Sequence, residues 1–242
     1  MNHTPIANAS SKCSTCLLGS FCLPVGLSIE DAAKVDTLVT ERLRLKKSEA
    51  LYRQGDALSA VYGVRIGTLK TKIAVSNGRE QITGFHLPGE IIGLDGIGDL
   101  HQQSTALALE DSEVCVIPMA DLESLARSLP SLQQQFHRIL SREISQDHSH
   151  LLFLGSMRSE ERLANFLLNL AERYSLRGYS GQEFNLRMNR EDIGSYLGMK
   201  IETVSRLFSR FTEAGILQIN LRHIKILDAA GLNEIAGHKP HC

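Results

Sequence analysis

The sequence of 242 residues has no tryptophan, and only 5% of its residues are aromatic. It also lacks an apolar run of the roughly 18 residues that a membrane-spanning helix needs. Its first residues, MNHTPIANASSKC, have no positively charged start followed by an apolar stretch, so they do not predict a signal peptide. We therefore expect a cytoplasmic protein outside the membrane, long enough for one large domain or two modest ones.

A strong excess of charge is absent as well, because the net charge is -1 at pH 7. This total does not predict a strongly basic nucleic-acid-binding protein. The charge is nevertheless unevenly distributed: from Ser156 onward there are twelve Lys or Arg and ten Asp or Glu, and the residues before it are net negative. The asymmetry favours the C-terminal part as the one that contacts a polyanion.

Cysteine is scarce but clustered, since three of the five cysteines lie within ten residues, CSTCLLGSFC. In reducing cytosol, closely spaced cysteines more often bind metal or act in redox chemistry than form structural disulfides. Four thiolates suit a 4Fe-4S cluster, with one thiolate per iron, and they also suit tetrahedral zinc. Structural zinc sites usually use two close Cys-x2-Cys pairs, and this sequence has one, but the residues alone leave both metals open.

The other two cysteines lie far from this cluster. Cys115 stands in EVCVIP, which predicts a strand, so it is either a distant fourth ligand or a buried structural thiol. Cys242 is the last residue, and we expect an exposed thiol there.

From about Leu38 to Pro118 the pattern predicts strands. Short alternating runs such as VYGVRIGTLKTKIAV and EQITGFHL are separated by turn signals, including Asn77-Gly78 and several glycines. Asn-Gly between two alternating runs is a strong hairpin signal. Many short strands with glycine-rich turns predict a closed or sandwiched antiparallel barrel.

From about Met119 the pattern becomes helical, with an interruption near Pro130. Apolar residues then recur in steps of three and four, which marks one helix face. These residues are Phe136, Leu140, Ile144, Leu151 and Leu154. Asp147 occupies the stripe between Ile144 and Leu151. It is either an edge residue or a charge facing its symmetry mate across a two-fold helix pair, where like charges weaken association.

Residues 189–217, NREDIGSYLGMKIETVSRLFSRFTEAGIL, predict two helices separated by a turn that begins at Gly198. This is a helix-turn-helix pattern. Glu202, Ser205 and Arg206 share one exposed face of the second helix, and their side chains suit base edges in the major groove. The alternative for Glu202 and Arg206 is a solvated i,i+4 ion pair.

A hairpin follows the second helix and resembles the wing of a winged helix-turn-helix. Arg222, His223 and Lys225 lie close together near its turn, which suits contact with the phosphate backbone. No Ser-His-Asp set, phosphate-binding glycine loop or carboxylate pair stands out in the sequence. An enzyme with an open iron site would need three cysteine ligands, and a fourth at Cys115 would close that site, so we do not expect an enzyme.

With these motifs in place, the sequence resembles the CRP/FNR superfamily of bacterial transcription regulators over nearly its whole length. LYRQGD (51–56), VYGVRIGTLK (61–70) and PGEIIG (88–93) are similar to its effector domain. REDIGSYLG and ETVSRLFSRF are similar to its DNA-binding domain. The spacing Cys13-x2-Cys16-x5-Cys22, with the distant Cys115, resembles that of the FNR oxygen sensors.

The resemblance implies an α+β fold with an N-terminal antiparallel β-barrel of the cyclic-nucleotide-binding jelly-roll type, a long dimerisation helix and a C-terminal winged helix-turn-helix. The corresponding boundaries are 1–26 for a cysteine loop, 27–118 for the barrel, 119–155 for the helix and 156–242 for the DNA-binding domain.

The resemblance also implies an oxygen-responsive transcription regulator of anaerobic gene expression. Its four thiolates at Cys13, Cys16, Cys22 and Cys115 would hold a 4Fe-4S cluster. The helix face of Glu202, Ser205 and Arg206 would read palindromic DNA with TTGAT-type half-sites, and Asp147 would lie at the dimer interface. With the cluster present we expect a homodimer that binds DNA and pairs along the helix face from Phe136 to Leu154. After loss of the cluster in oxygen we expect an inactive monomer.

The resemblance also has implications for RNA polymerase and for cyclic nucleotide as binding partners. RNA polymerase would contact loops near residues 76–81 and near Arg177. Cyclic-nucleotide-binding members place an arginine beside a Ser or Thr against the cyclic phosphate, whereas this sequence has Gln103 at about that place. A neutral amide cannot replace a bidentate guanidinium against phosphate, so we expect no cyclic nucleotide to bind.

Overall fold

The computed structural model describes residues 4–5, 12–16, 18–19, 22–75 and 78–237. Asn77 of the predicted hairpin and the terminal Cys242 lie outside the described residues. The chain divides into two compact units, residues 1–144 and 145–242. Among the described helices, none is both long enough and apolar enough to cross a bilayer.

The described strands are β1 (Thr4–Pro5), β2 (Glu41–Leu45), β3 (Ala50–Tyr52), β4 (Ala60–Ile66), β5 (Leu69–Ala74), β6 (Glu80–His86), β7 (Ile91–Ile92), β8 (Thr105–Ala108), β9 (Ser112–Pro118), β10 (Glu183–Asn185), β11 (Leu217–Asn220) and β12 (His223–Ile226). The α-helices are α1 (Ile29–Val35), α2 (Met119–Ser128), α3 (Pro130–Ser156), α4 (Ser159–Leu176), α5 (Arg190–Leu197), α6 (Ile201–Glu213) and α7 (Ala229–Ile235). Short 3-10 helices lie at Cys13–Thr15, Asp36–Leu38 and Leu94–Gly96.

The first unit is built on two antiparallel sheets, with strand orders β1-β2-β9-β4-β7 and β3-β8-β5-β6. Apolar residues of both sheets, among them Val64, Val114 and Leu69, form the core between them. The predicted hairpin is present, because β5 pairs with β6 up to Ala74 opposite Glu80. The described strands form the sandwiched version of the prediction, since the two sheets do not join into a closed barrel.

A second core lies on the outer face of the five-stranded sheet. Successive side chains of a strand point to opposite faces. Within β9, Val114 and Val116 therefore point into the sandwich, while Cys115 and Ile117 point outward. Residues of α1, α2 and the start of α3 cover this outer face, together with the buried Leu23. The alternation in EVCVIP thus places Cys115 at the outer core.

The long helix α3 carries the predicted apolar stripe, and its residues differ in burial. Phe136 and Leu140 are half-buried against the outer core of the first unit. Ile144 is 56% exposed and Leu151 is 66% exposed. Asp147 is exposed between them. The first part of the stripe is therefore packed within its own chain, and the middle part faces solvent.

The second unit contains α4, the helix pair α5 and α6, the sheet β10-β12-β11 and α7. Asn189 begins α5 with a capping box: its side chain accepts from the Asp192 backbone N–H at 2.7 Å, and the Asp192 carboxylate accepts from the Asn189 N–H at 3.2 Å. Gly198 ends α5 with a φ of 62°, a conformation that glycine adopts readily. The predicted helix-turn-helix is therefore present, with a first helix of eight residues.

Candidate functional site

The structure brings the four predicted cysteines around one pocket in the first unit. Cys13, Cys16, Cys22 and Cys115 all line it, together with the outer face of β4 and β9. Backbone hydrogen bonds fold the loop into short turns, with Cys16 N–H donating to Cys13 O at 3.2 Å and Cys22 N–H donating to the carbonyl of Leu18 at 3.0 Å. The thiols come from positions up to about a hundred residues apart in sequence, so the fold and not local spacing assembles this set.

A carboxylate fixes the loop next to the first cysteine. Ser14 donates its backbone N–H to Asp36 Oδ1 at 2.7 Å and its hydroxyl to Asp36 Oδ2 at 2.6 Å. Asp36 begins the short 3-10 helix that follows α1. Hydrogen bonds to an ionised carboxylate are stronger than neutral ones, so this pair holds the cysteine loop against the unit.

A glycine makes room for the sulfur atoms. Gly63 of β4 lies directly opposite Cys115 of β9 in the sheet register. A Cβ atom at Gly63 would lie 3.5 Å from Cys22 Sγ and 3.9 Å from Cys115 Cβ. A larger side chain there would extend into the space that the two thiols share.

Burial sets the protonation of these thiols. Burial, together with the neighbouring Cys22 thiol, raises the pKa of the Cys13 thiol to about 12. Burial likewise raises the pKa of Cys22 to about 12. Burial is also the main cause of the raised pKa of Cys115, which Arg42 opposes. Cys13, Cys22 and Cys115 are therefore neutral at pH 7 without a metal, and a bound metal has to displace their protons.

Charged side chains lie next to Cys115 on the same face. Arg42 is opposite Cys115 in the register of β2 and β9. Glu113 Oε1 lies 3.5 Å from an Arg42 nitrogen and 2.8 Å from an Arg65 nitrogen. Two guanidinium groups and one carboxylate leave a local excess of positive charge, which suits an anionic thiolate centre.

The pocket leaves about 30 Å³ of free space, the room of one or two water molecules. No group of three or more His, Cys, Asp or Glu side chains in the described ranges stands ready to bind a single metal ion. The donor chemistry fits a thiolate-bound metal centre, because four cysteines and no competing ligand type line the pocket.

The region where a cyclic phosphate would bind in related proteins holds no arginine at the predicted place. Gln103 is exposed, and its amide donates to the His101 carbonyl at 2.9 Å, within its own turn. The expectation that cyclic nucleotide does not bind stays a prediction.

The second candidate site is the exposed face of α6. Val204, Leu207, Phe208 and Phe211 are buried under the helix. Glu202, Ser205 and Arg206 are exposed on its other side, as their spacing predicts. Within the described part of the chain, the side chains of Glu202 and Arg206 form no hydrogen bond or ion pair with each other.

Two contacts that the sequence does not reveal position this helix pair. The Arg190 guanidinium stacks on the Phe208 ring at 3.4 Å from its centroid, which ties the start of α5 to α6. Burial lowers the pKa of Arg190 to about 10, so it stays charged at neutral pH. At the end of α3, the His150 ring stacks on Tyr196 with centroids 4.1 Å apart, and His150 Nε2 donates to the Tyr196 carbonyl at 2.7 Å.

The predicted wing is the hairpin of β11 and β12. Arg222 lies in its turn, and His223 and Lys225 lie on β12. Arg222 and Lys225 are exposed, and His223 is half-buried. The hairpin therefore presents cations beside the helix pair.

Comparison with known proteins agrees with both halves of this arrangement. Residues 42–128 match the family described as the cyclic nucleotide-binding domain, and residues 161–235 match the Crp-like helix-turn-helix domain. The chain is 52% identical to the transcriptional regulatory protein btr of Bordetella pertussis over 98% of each chain. It is 42% identical to the anaerobic regulatory protein of Haemophilus influenzae over 93% of this chain and 88% of that one.

Among solved structures, FixK2 from Bradyrhizobium japonicum is similar, with a TM-score of 0.75 and 30% identity over 80% of this chain and 96% of FixK2. The identity extends over nearly the full length of regulatory proteins, and the two domain matches are to a cyclic nucleotide-binding domain and a Crp-like helix-turn-helix. The chain therefore belongs to the CRP/FNR family of transcription regulators, and it is a DNA-binding regulator and not an enzyme.

Proposed function

We propose that the chain is an oxygen-responsive transcription regulator that binds palindromic DNA as a homodimer when oxygen is low. The observation that carries the proposal is the assembly of four cysteines around one pocket in the first unit, Cys13, Cys16, Cys22 and Cys115. The second unit of the same chain carries the helix-turn-helix. The name of the Haemophilus relative, an anaerobic regulatory protein, supports the same signal.

The four cysteines would hold a 4Fe-4S cluster, with one thiolate for each iron. Bound there, the cluster would supply the oxygen-labile group of the sensor. The neighbouring guanidinium groups of Arg42 and Arg65 suit the negative charge of such a centre. Asp36 would hold the cysteine loop in place through its two hydrogen bonds from Ser14.

The cysteine loop and the long helix share one hydrophobic cluster. Leu23, one residue after Cys22, is buried in the outer core, and Phe136 and Leu140 of α3 pack against that same core. A shift of the loop would therefore change the packing of α3 within this unit. We propose that two α3 helices pair along the face of Ile144 and Leu151 when a bound cluster fixes the cysteine loop. When the cluster is lost and the loop moves, this pairing becomes unfavourable.

The paired chains would place two α6 helices in successive major grooves, about 34 Å apart. Glu202, Ser205 and Arg206 would contact base edges of TTGAT-type half-sites, because all three are exposed on one face of α6. A monomer would cover only one half-site. Contact of the homodimer with RNA polymerase is part of the same proposal.

Arg206→Ala is expected to relax specificity at one base pair of each half-site. A guanidinium that binds guanine O6 and N7 contributes about 1–3 kcal/mol of discrimination. Binding should be measured on duplexes in which each position of the half-site is changed in turn, with Lys225→Ala as the phosphate-contact control. A uniform loss across all sequences would instead mark Arg206 as a phosphate contact.

The first test of the cofactor is the visible absorption spectrum of protein purified without oxygen. We expect a brown protein that absorbs at about 420 nm, as thiolate-bound clusters do. Admission of air should bleach this absorption and reduce DNA binding in the same sample. A colourless protein that contains zinc and binds DNA equally with and without air would replace the proposal with a regulator that uses structural zinc.

A further inference from the structure

We propose that Leu221, at the tip of the wing, is an apolar DNA contact that packs into the minor groove beside each half-site. The inference rests on the DNA binding proposed above and adds a residue that does not belong to the base-reading face of α6. It is carried by the backbone of the wing turn, the exposure of Leu221 and the cations around it.

The wing turn has an unusual residue at its first position. Asn220 pairs with His223, so Leu221 and Arg222 form a two-residue hairpin turn. Leu221 has a φ of 55°, and Arg222 does not have a positive φ. A positive φ at the first position of a two-residue hairpin turn favours glycine, asparagine or aspartate there. A leucine there is held in a strained backbone conformation.

The side chain of Leu221 is also unfavourably placed in the free protein. It is 93% exposed, more than any other large apolar side chain of the described residues. A glycine or asparagine in this turn would remove both the strain and the exposed apolar surface. A costly residue of this kind at the tip of a binding element indicates a contact that forms only in the complex.

The position of the tip identifies what it contacts. The Leu186 N–H donates to the Arg222 carbonyl at 2.8 Å, and an Arg222 nitrogen donates to the Arg187 carbonyl at 3.4 Å. The tip therefore lies beside the segment that leads into α5. When α6 lies in the major groove, the first helix of the motif crosses the phosphate backbone, so a tip beside its start reaches over that backbone.

The surroundings of Leu221 complement DNA. Arg187 and Arg222 are exposed beside the tip, and both suit phosphate oxygens. Beyond the backbone that flanks a bound major groove lies the minor groove. Proteins that bind the minor groove combine such cations with apolar side chains that press on the sugar walls or between base steps. One exposed leucine beside two arginines has this composition.

The test uses the full chain purified without oxygen and a duplex that carries the palindrome. Leu221→Asn and Leu221→Gly should each weaken binding about tenfold, since they remove the buried apolar contact. Their melting temperatures should stay equal to or above that of the wild type, because both residues tolerate a positive φ. Leu221→Met, which keeps the apolar bulk, should bind nearly as well as the wild type.

Salt dependence separates an apolar contact from an ionic one. The slope of log affinity against log salt should be unchanged in Leu221→Asn, because no phosphate contact is lost. Arg222→Gln is the matched control from the same turn, and it should reduce the slope by about 0.9 for each phosphate contact removed. The wild type should also prefer a flexible pyrimidine–purine step beside the half-site, and Leu221→Asn should lose that preference.

Equal DNA affinity of the wild type and both polar variants would overturn the inference and leave the proposed function intact. The same holds for a loss of affinity that comes with a changed salt slope. A wild type that does not bind the palindrome under any oxygen condition would overturn the proposed function and this inference with it.

Discussion

Replacing any one of Cys13, Cys16, Cys22 and Cys115 by serine is expected to abolish DNA binding at low oxygen. A serine hydroxyl does not ionise near neutral pH, so it cannot supply the thiolate that each iron requires. The protein should lose iron and its visible absorption, and its DNA affinity should fall to the non-specific level, about a thousandfold or more.

The structure provides sharp controls for this series. Serine has nearly the shape of cysteine, so each variant should keep the fold, which circular dichroism and melting temperature would check. Cys242→Ser should keep iron, absorption and DNA binding. Iron and acid-labile sulfide should be measured per chain in the same anaerobic samples as DNA binding. A Cys13→Ser protein that retains the cluster and binds DNA would exclude Cys13 as a ligand.

The series also separates the roles of single cysteines. Cys115 lies on a strand of the sheet, opposite Gly63, whereas the other three lie on the loop. If Cys115 were only a buried structural thiol, Cys115→Ser would lower the melting temperature and leave iron content unchanged. Loss of iron is the expected result, with a melting temperature equal to that of wild-type protein stripped of its iron, because a bound group stabilises the fold and serine nearly keeps the shape of cysteine.

The sequence predicts most of the secondary structure because periodicity and turn residues are local signals. The alternation in EVCVIP is sufficient to place Cys115 on one face of a strand, and Gly198 with the capping pair of Asn189 and Asp192 bounds the first helix of the motif. The apolar positions of α6 also predict which side chains remain exposed. Each of these features depends on residues that are close in sequence.

The features that sequence does not predict depend on contacts between distant residues. Asp36 receives hydrogen bonds from Ser14, twenty-two positions earlier, and no pattern marks either residue as a partner. Gly63 matters because the strand register places it opposite Cys115. Turn propensities would favour glycine or asparagine at Leu221, so its positive φ is visible only in the structure.

The long helix shows why a stripe alone does not define an interface. Phe136 and Leu140 satisfy the same periodicity as Ile144 and Leu151, yet the first two pack against their own unit and the second two face solvent. Burial within one chain thus limits the surface that a second chain can cover. The open part of the stripe is the part that contains Asp147.

Replacing Asp147 by alanine is expected to give a protein that forms dimers and binds DNA in air. Asp147 is exposed between two exposed apolar residues, and in the described residues its side chain forms no hydrogen bond or ion pair. Pairing two α3 helices along this face would bring two carboxylates together and remove water from them. Both effects oppose association.

Asp147→Ala should raise the stability of the dimer by about as much as oxygen lowers it in the wild type. A difference of roughly 3 kcal/mol in dimer stability changes the association constant by about a hundredfold. Asp147→Ala should therefore sediment as a dimer in air at concentrations where the wild type is monomeric. It should also bind the palindrome in air, measured on the same samples. Asp147→Asn, which removes the charge and keeps a polar side chain, should fall between the two.

Glu123→Ala is the matched control. Glu123 is exposed on α2, outside the stripe of α3. It removes one negative charge, as Asp147→Ala does, so an effect of net charge alone would appear in both variants. We expect Glu123→Ala to stay monomeric in air. If Asp147→Ala stays monomeric as well, Asp147 is an edge residue, and the oxygen response acts on dimer stability through the packing of Phe136 and Leu140 instead.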